Sequence, residues 1–158
     1  MNRRHFIKFS FTSATLTFFS AAALLIPKVL MAAWPKEAFS AATINNALLG
    51  LTGNTEHTAS DNITMHLPRR NENGEEVSIT IETTIKSVKS VNILVKENPT
   101  PLAASFQPNE DFEGYISTRI KVTRSSEVIV VIESDGLLYS QSKHIKIITS
   151  NTIAENKK

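Results

Sequence analysis

Residues 115–134 read YISTRIKVTRSSEVIVVIES. In the first half Ile116, Thr118, Ile120 and Val122 share one face, while Tyr115 and Arg119 lie on the other. A period of two is the mark of a half-buried strand. The second half, EVIVVIES, is apolar on both faces, as suits a strand covered on both sides at the centre of a sheet. The same period recurs on either side. DNITMHL aligns Ile63, Met65 and Leu67; VSITIETTI aligns Val77, Ile79 and Ile81; VNILVK aligns Val91, Ile93 and Val95. LLYSQSKHIKII adds one or two more strands. PRRNENGEE and Ser134-Asp135-Gly136 read as hairpin connections, Asp-Gly favouring the type I′ turn. Short β-branched segments separated by turn clusters predict an all-β sandwich.

Ahead of the strands, WPKEAFSAATINNALLGL reads as one helix, with Pro35 at its first position and Glu37 at the positive end of its dipole. Its apolar face is thin, so it is expected to pack on something else. TGNTEHTAS reads as a loop.

The N-terminus reads as an address. In MNRRHFIKFSFTSATLTFFSAAALLIPKVLMAAW, paired Arg3 and Arg4 precede an apolar run interrupted by Ser and Thr and closed by Pro27-Lys28. A spanning helix needs about 20 mostly apolar residues, so a signal peptide is the better reading. Asn2-Arg3-Arg4-His5-Phe6-Ile7-Lys8 resembles the core of a twin-arginine export signal. Cleavage is expected after Ala33, giving a periplasmic protein whose membrane contact is limited to export. Four of the 17 basic residues and none of the 15 acidic ones precede Trp34, so the remainder carries 13 basic against 15 acidic residues, a net of −2. That balance offers no basic stripe for nucleic acid. The chain has no cysteine, so its core must be stable without a disulfide even in an oxidising compartment.

The pattern argues against an enzyme. His57 falls in a loop, and His66 and His144 on polar strand positions, all read as surface residues rather than metal ligands. No glycine-rich loop joins a strand to a helix, and no serine sits in a nucleophile elbow. Neither a metal nor a cofactor is expected. The unusual segment is ENPTPLAASFQPNEDFEGY, with three of the six prolines around an apolar centre. Such a segment reads as a stiff loop that cannot extend a sheet. Two roles fit it: a rigid crossover with Leu102 and Phe106 plugging the core, or a docking surface.

WPKEAF, NPTPLAASF, YISTRIKV and GLLYSQSKHIKI, in this order, resemble the SoxY family, carrier subunits of the periplasmic thiosulfate-oxidising (Sox) system. The resemblance runs to about Ile147. It implies an immunoglobulin-like β-sandwich that forms a heterodimer with SoxZ and carries sulfur intermediates on the cysteine of a C-terminal Gly-Gly-Cys-Gly-Gly arm, where other Sox proteins, the further partners the resemblance implies, load, oxidise and hydrolyse the cargo. Here the chain departs from the pattern, reading Thr149-Ser150-Asn151-Thr152-Ile153-Ala154 and onward, with Thr152 near the place of the thiol. A threonine hydroxyl without an adjacent base is a far weaker nucleophile than a thiolate. The expected organisation is a signal over 1–33, a helix and linker over 34–53, a sandwich over 54–149 and a tail over 150–158. The expected function is binding of a SoxZ-like partner without covalent carriage. The alternative is a true carrier whose arm is altered by a frameshift or gene-end error. Pro99, Pro101, Leu102, Phe106, Tyr115 and Arg119 are the candidate partner-binding residues.

Overall fold

The computed structural model describes residues 35–72 and 76–148. The chain divides into two units, Met1–Ala33 and Trp34–Lys158. The first lies outside the described residues, as do Arg3, Arg4 and Thr152 with the signal and tail they belong to. In the described part the order is α1 (Lys36–Ser40), α2 (Ile44–Thr52), β1 (Thr58–Ala59), β2 (Ile63–His66), β3 (Arg70–Asn71), β4 (Glu76–Thr83), β5 (Val88–Val95), β6 (Leu102–Phe106), β7 (Tyr115–Lys121), β8 (Ser126–Ser134) and β9 (Leu137–Ile147).

The strands form a sandwich of two sheets. The larger has the order β1-β9-β8-β5-β6, with β3 also against β9; the smaller is β2-β4-β7. Alternation decides which side chains meet between them. Ile63, Met65, Val77, Ile79, Ile81 and Ile120 face Val91, Ile93, Val95, Val128, Val130, Ile132 and Ile145 in one buried cluster. EVIVVIES is central as its composition predicts, since β8 lies between β9 and β5. Its other face carries Val131 into a second cluster with Leu94, Leu102, Leu138, Ala38, Ala47 and Leu48. The helices thus cover the outer face of the large sheet, which is the support their thin apolar stripe required.

Three expectations need correction. The N-terminal helix is two helices: Ala41 is extended (ψ 136°), and Thr43 restarts the helix by accepting the Asn46 N–H at 3.2 Å. Ser40 Oγ bonds back to the Lys36 carbonyl at 2.9 Å, one of the local bonds by which serine competes with helix continuation. Gly50 lets the two helices approach, because a Cβ there would sit 3.3 Å from the Ala38 Cβ. Second, the loop read in TGNTEHTAS contains β1, and the connection read in PRRNENGEE contains β3; both pair in parallel with β9. Third, Leu102–Phe106 is not a loop but a strand of the large sheet, antiparallel to β5. The prolines sit before it, where they cannot interrupt the ladder. The crossover to the small sheet is instead 107–114.

The β8–β9 turn follows its sequence. Asp135 and Gly136 both have positive φ (50° and 77°), the type I′ pattern.

Candidate functional site

Two features of the sandwich stand out once pairing is traced. The first is an asymmetry of its two sides. On one side the chain from β1 to β3 wraps the edge of β9, and β2 crosses to the small sheet between them. The other side is formed by β6 and β7, the last strands of their sheets, which touch each other. No described strand pairs with the outer edge of either. The core is thinly covered there: Ala103, Ala104 and Phe106 of β6 and Ile116 of β7 pack on it while only half-buried. Unpaired N–H and C=O groups beside an apolar seam are a template for pairing with another chain.

The second feature is the exit of β9. On one flank Lys146 N–H donates to the Arg69 carbonyl at 3.0 Å, and Ile148 N–H to the Asn71 carbonyl at 2.9 Å. On the other flank Ile147 N–H donates to Ser125 Oγ at 3.0 Å. Ile147 itself is buried. The two sheets are tied at the same end by Asn98. Its Nδ2 donates to the Lys121 carbonyl at 2.8 Å, and its Oδ1 accepts from the Thr123 N–H and hydroxyl. Polar side chains that satisfy backbone groups at a strand's end hold that end in place.

The six candidate residues do not form one surface. Pro99 is exposed and Pro101 buried, both in the β5–β6 turn at the exit end. The Pro101 carbonyl accepts the Val95 N–H at 2.8 Å. Leu102 lies beneath the helices, and Phe106 lies between the sheets. Tyr115 and Arg119 are exposed on β7, on the face away from the core. What joins four of them is the open side: Leu102 and Phe106 bound β6, and Tyr115 and Arg119 belong to β7. Asn98 and Ser125 went unremarked in the sequence. Asn98 stands at the head of the NPTPLAASF motif, which was the available signal.

Chemically the described surface is sparse. His57 Nδ1 lies 2.8 Å from Ser140 Oγ, but Ser140 is buried and the pair joins β1 to β9. His66 lies 3.5 Å from Glu82, and both are more than half exposed. Among the described residues no three His, Asp or Glu side chains come together as metal ligands. A cleft of about 600 Å³ opens at the end opposite the β9 exit, between Ile85–Val88 and the 107–114 connection. Its lining mixes Phe112 and Pro108 with Glu110 and Glu113.

A helix-backed sandwich with free strand edges, a clamped last strand and no gathered catalytic or metal-ligand set among the described residues offers surfaces for binding. The chain belongs to the SoxY family: the family model for sulfur oxidation protein SoxY matches residues 49–150. Among solved structures it is similar to the sulfur carrier protein SoxY from Chlorobium limicola f thiosulfatophilum. That match has 27% identity, a TM-score of 0.61, and covers 72% of this chain and 98% of that one. A superoxide reductase (neelaredoxin) from Ignicoccus hospitalis, the E23A form, reaches a TM-score of 0.49 at 12% identity, covering 68% of this chain and 90% of its own. No curated protein matches the sequence. The family is one of sulfur carriers rather than catalysts, and its place is in sulfur oxidation.

Proposed function

We propose that this chain is a SoxY-type subunit of a periplasmic sulfur-oxidation assembly, paired with a SoxZ-like sandwich and not itself the covalent carrier. One observation carries the partner reading. The two segments by which the sequence most resembles the family, NPTPLAASF and YISTRIK, contain the two edge strands left open on one side of the sandwich. A partner seated there satisfies both free edges and covers the apolar seam of Ala103, Ala104, Phe106 and Ile116. A stable contact of this kind buries on the order of 800 Å² per partner.

The reading that sulfur is not bound covalently to this chain rests on its lack of cysteine, since the thiolate is the nucleophile of sulfur transfer. Thr152 stands near the family's thiol position and supplies no equivalent. Export by the twin-arginine route rests on Arg3-Arg4 and their neighbours. Removal of residues 1–33 rests on the apolar, Ser/Thr-interrupted run that ends before Trp34. The helix and linker of 34–53 and the sandwich of 54–149 then make up the working protein.

The test is affinity capture of the tagged protein from periplasm, with intact-mass measurement of everything that co-elutes. The expected result is a second sandwich subunit in equal amount, with this chain unmodified. A sulfur-sized adduct on this chain would remove the non-carrier reading. Recovery of this chain alone would remove the partner reading.

A further inference from the structure

The exit of β9 is flanked by cations that have no carboxylate partner among the described residues. Parallel pairing of β3 and β9 sets Arg70 directly abreast of Lys146. Arg69 precedes Arg70, and Arg124 precedes Ser125, whose hydroxyl accepts the Ile147 N–H. All four are exposed. Among the described residues none of the four lies within ion-pairing distance of a carboxylate, whereas Lys89 and Lys96 are paired with Glu133 and Glu127. Glu72, Glu76 and Glu97 are also at this end and make no ion pair there. Like charges abreast on neighbouring strands are destabilising, so the fold tolerates a cost here that a Glu at either position would relieve.

The far end of the sandwich has the opposite sign. Glu82, Glu110, Asp111, Glu113 and Asp135 are exposed there, with Lys86 as the unpaired cation among them. The described protein is therefore polarised along its strands. A field of that form orients an approaching charged partner before contact.

We propose that the β9 exit face, centred on Arg69, Arg70, Arg124 and Lys146, docks an acidic surface of a protein partner. This is distinct from the β6/β7 side and does not depend on a partner there. An extended acidic surface fits better than one small anion, because the four cations are distributed over two strands and a turn and all face solvent. Exposed guanidinium and ammonium groups bind single ions weakly but add up across a face. Lys86, at the far end of the sandwich, and Lys36, on the helix over the outer face of the large sheet, serve as a control of equal charge.

The experiment is fluorescence anisotropy of a labelled poly-L-glutamate peptide titrated with the purified chain over a series of NaCl concentrations. Binding is expected at low salt, weakening steadily as salt rises. Arg70→Glu/Lys146→Glu is expected to weaken it at least roughly tenfold, and Lys36→Glu/Lys86→Glu by less than about twofold. Thermal melts of both variants, expected to match the parent, check that each folds. Absence of binding at low salt overturns the proposal, as does an equal loss in both variants. Displacement of the peptide by sodium thiosulfate at constant ionic strength overturns it in favour of a small-anion site. Tighter binding to vesicles containing phosphatidylglycerol than to the peptide overturns it in favour of a membrane surface.

Discussion

Asn98 and Thr123 join the two sheets by a pair of hydrogen bonds to one oxygen. The Thr123 N–H and hydroxyl both donate to Asn98 Oδ1, each at 3.0 Å. The Asn98 amide donates in turn to the Lys121 carbonyl, so one side chain in the β5–β6 turn satisfies three groups at the end of β7. Asn98→Ala removes these three hydrogen bonds. The expected loss is about 1–3 kcal/mol in urea unfolding. Pro99→Ala, at the exposed next position, is expected to change stability by less than about 1 kcal/mol.

Gly114 and Gly136 both have positive φ, yet their surroundings differ. A Cβ on Gly114 (φ 84°) would lie 2.2 Å from the Thr83 carbonyl oxygen, a backbone atom that cannot move aside; Gly136 (φ 77°) has nothing within 4 Å. Gly136→Ala should cost only the left-handed backbone penalty of about 1–2 kcal/mol. Gly114→Ala should cost clearly more and lower the yield of folded protein. Equal melting temperatures for the two variants would contradict the close approach.

Core and helix surface should separate cleanly. Ile93 is fully buried between the sheets, while Leu49 is 56% exposed on α2. Ile93→Ala is expected to cost about 2–5 kcal/mol, through lost burial and the cavity left behind. Leu49→Ala is expected to stay within about 0.5 kcal/mol. Chemical denaturation of both variants reads this directly.

Glu133 tests how far a buried carboxylate depends on an exposed cation. Its Oε1 lies 2.6 Å from Lys89 Nζ, with Glu133 7% and Lys89 73% exposed, and Ser90 Oγ donates to Oε2 at 3.2 Å. Water screens the lysine, so Lys89→Ala should cost less than about 1 kcal/mol. Glu133→Ala removes the acceptor of the Ser90 hydroxyl, which Asn92 Nδ2 also contacts at 3.0 Å. It should cost about 1–3 kcal/mol. The reverse order of these losses would mean that the ion pair outweighs the hydrogen-bond network.

Arg119 probes the open side. It lies opposite Ser78 on the outer face of the small sheet and is exposed. Arg119→Glu should leave the melting curve within about 0.5 kcal/mol of the parent. It should reduce capture of the second sandwich subunit from periplasm. Undiminished capture would exclude β7's outer face from the contact.

The strands were legible wherever one face meets the core. Ile63, Met65, Val77, Ile79, Ile81 and Ile120 are all buried as the twofold alternation predicts. β6 was not legible, because LAASF is too short and too rich in small residues to show a period, and the prolines before it signal a loop. Its place comes from β5, whose free edge supplies the hydrogen bonds. β1 and β3 were missed for the same reason: a two-residue strand has no period and exists only through its pairing with β9. The helix break at Ala41 had a local signal in Thr43, whose side chain caps the second helix.

By itself the sequence determined which residues turn inward, which strand is central and which family the motifs resemble. These follow from side-chain chemistry repeated along a short stretch of chain. Only the tertiary structure decided which edges remain open, that β7 ends on Asn98, and that Arg70 stands beside Lys146. Each of those depends on contacts between residues far apart in the chain, set by sheet pairing and register, for which a local pattern carries no code.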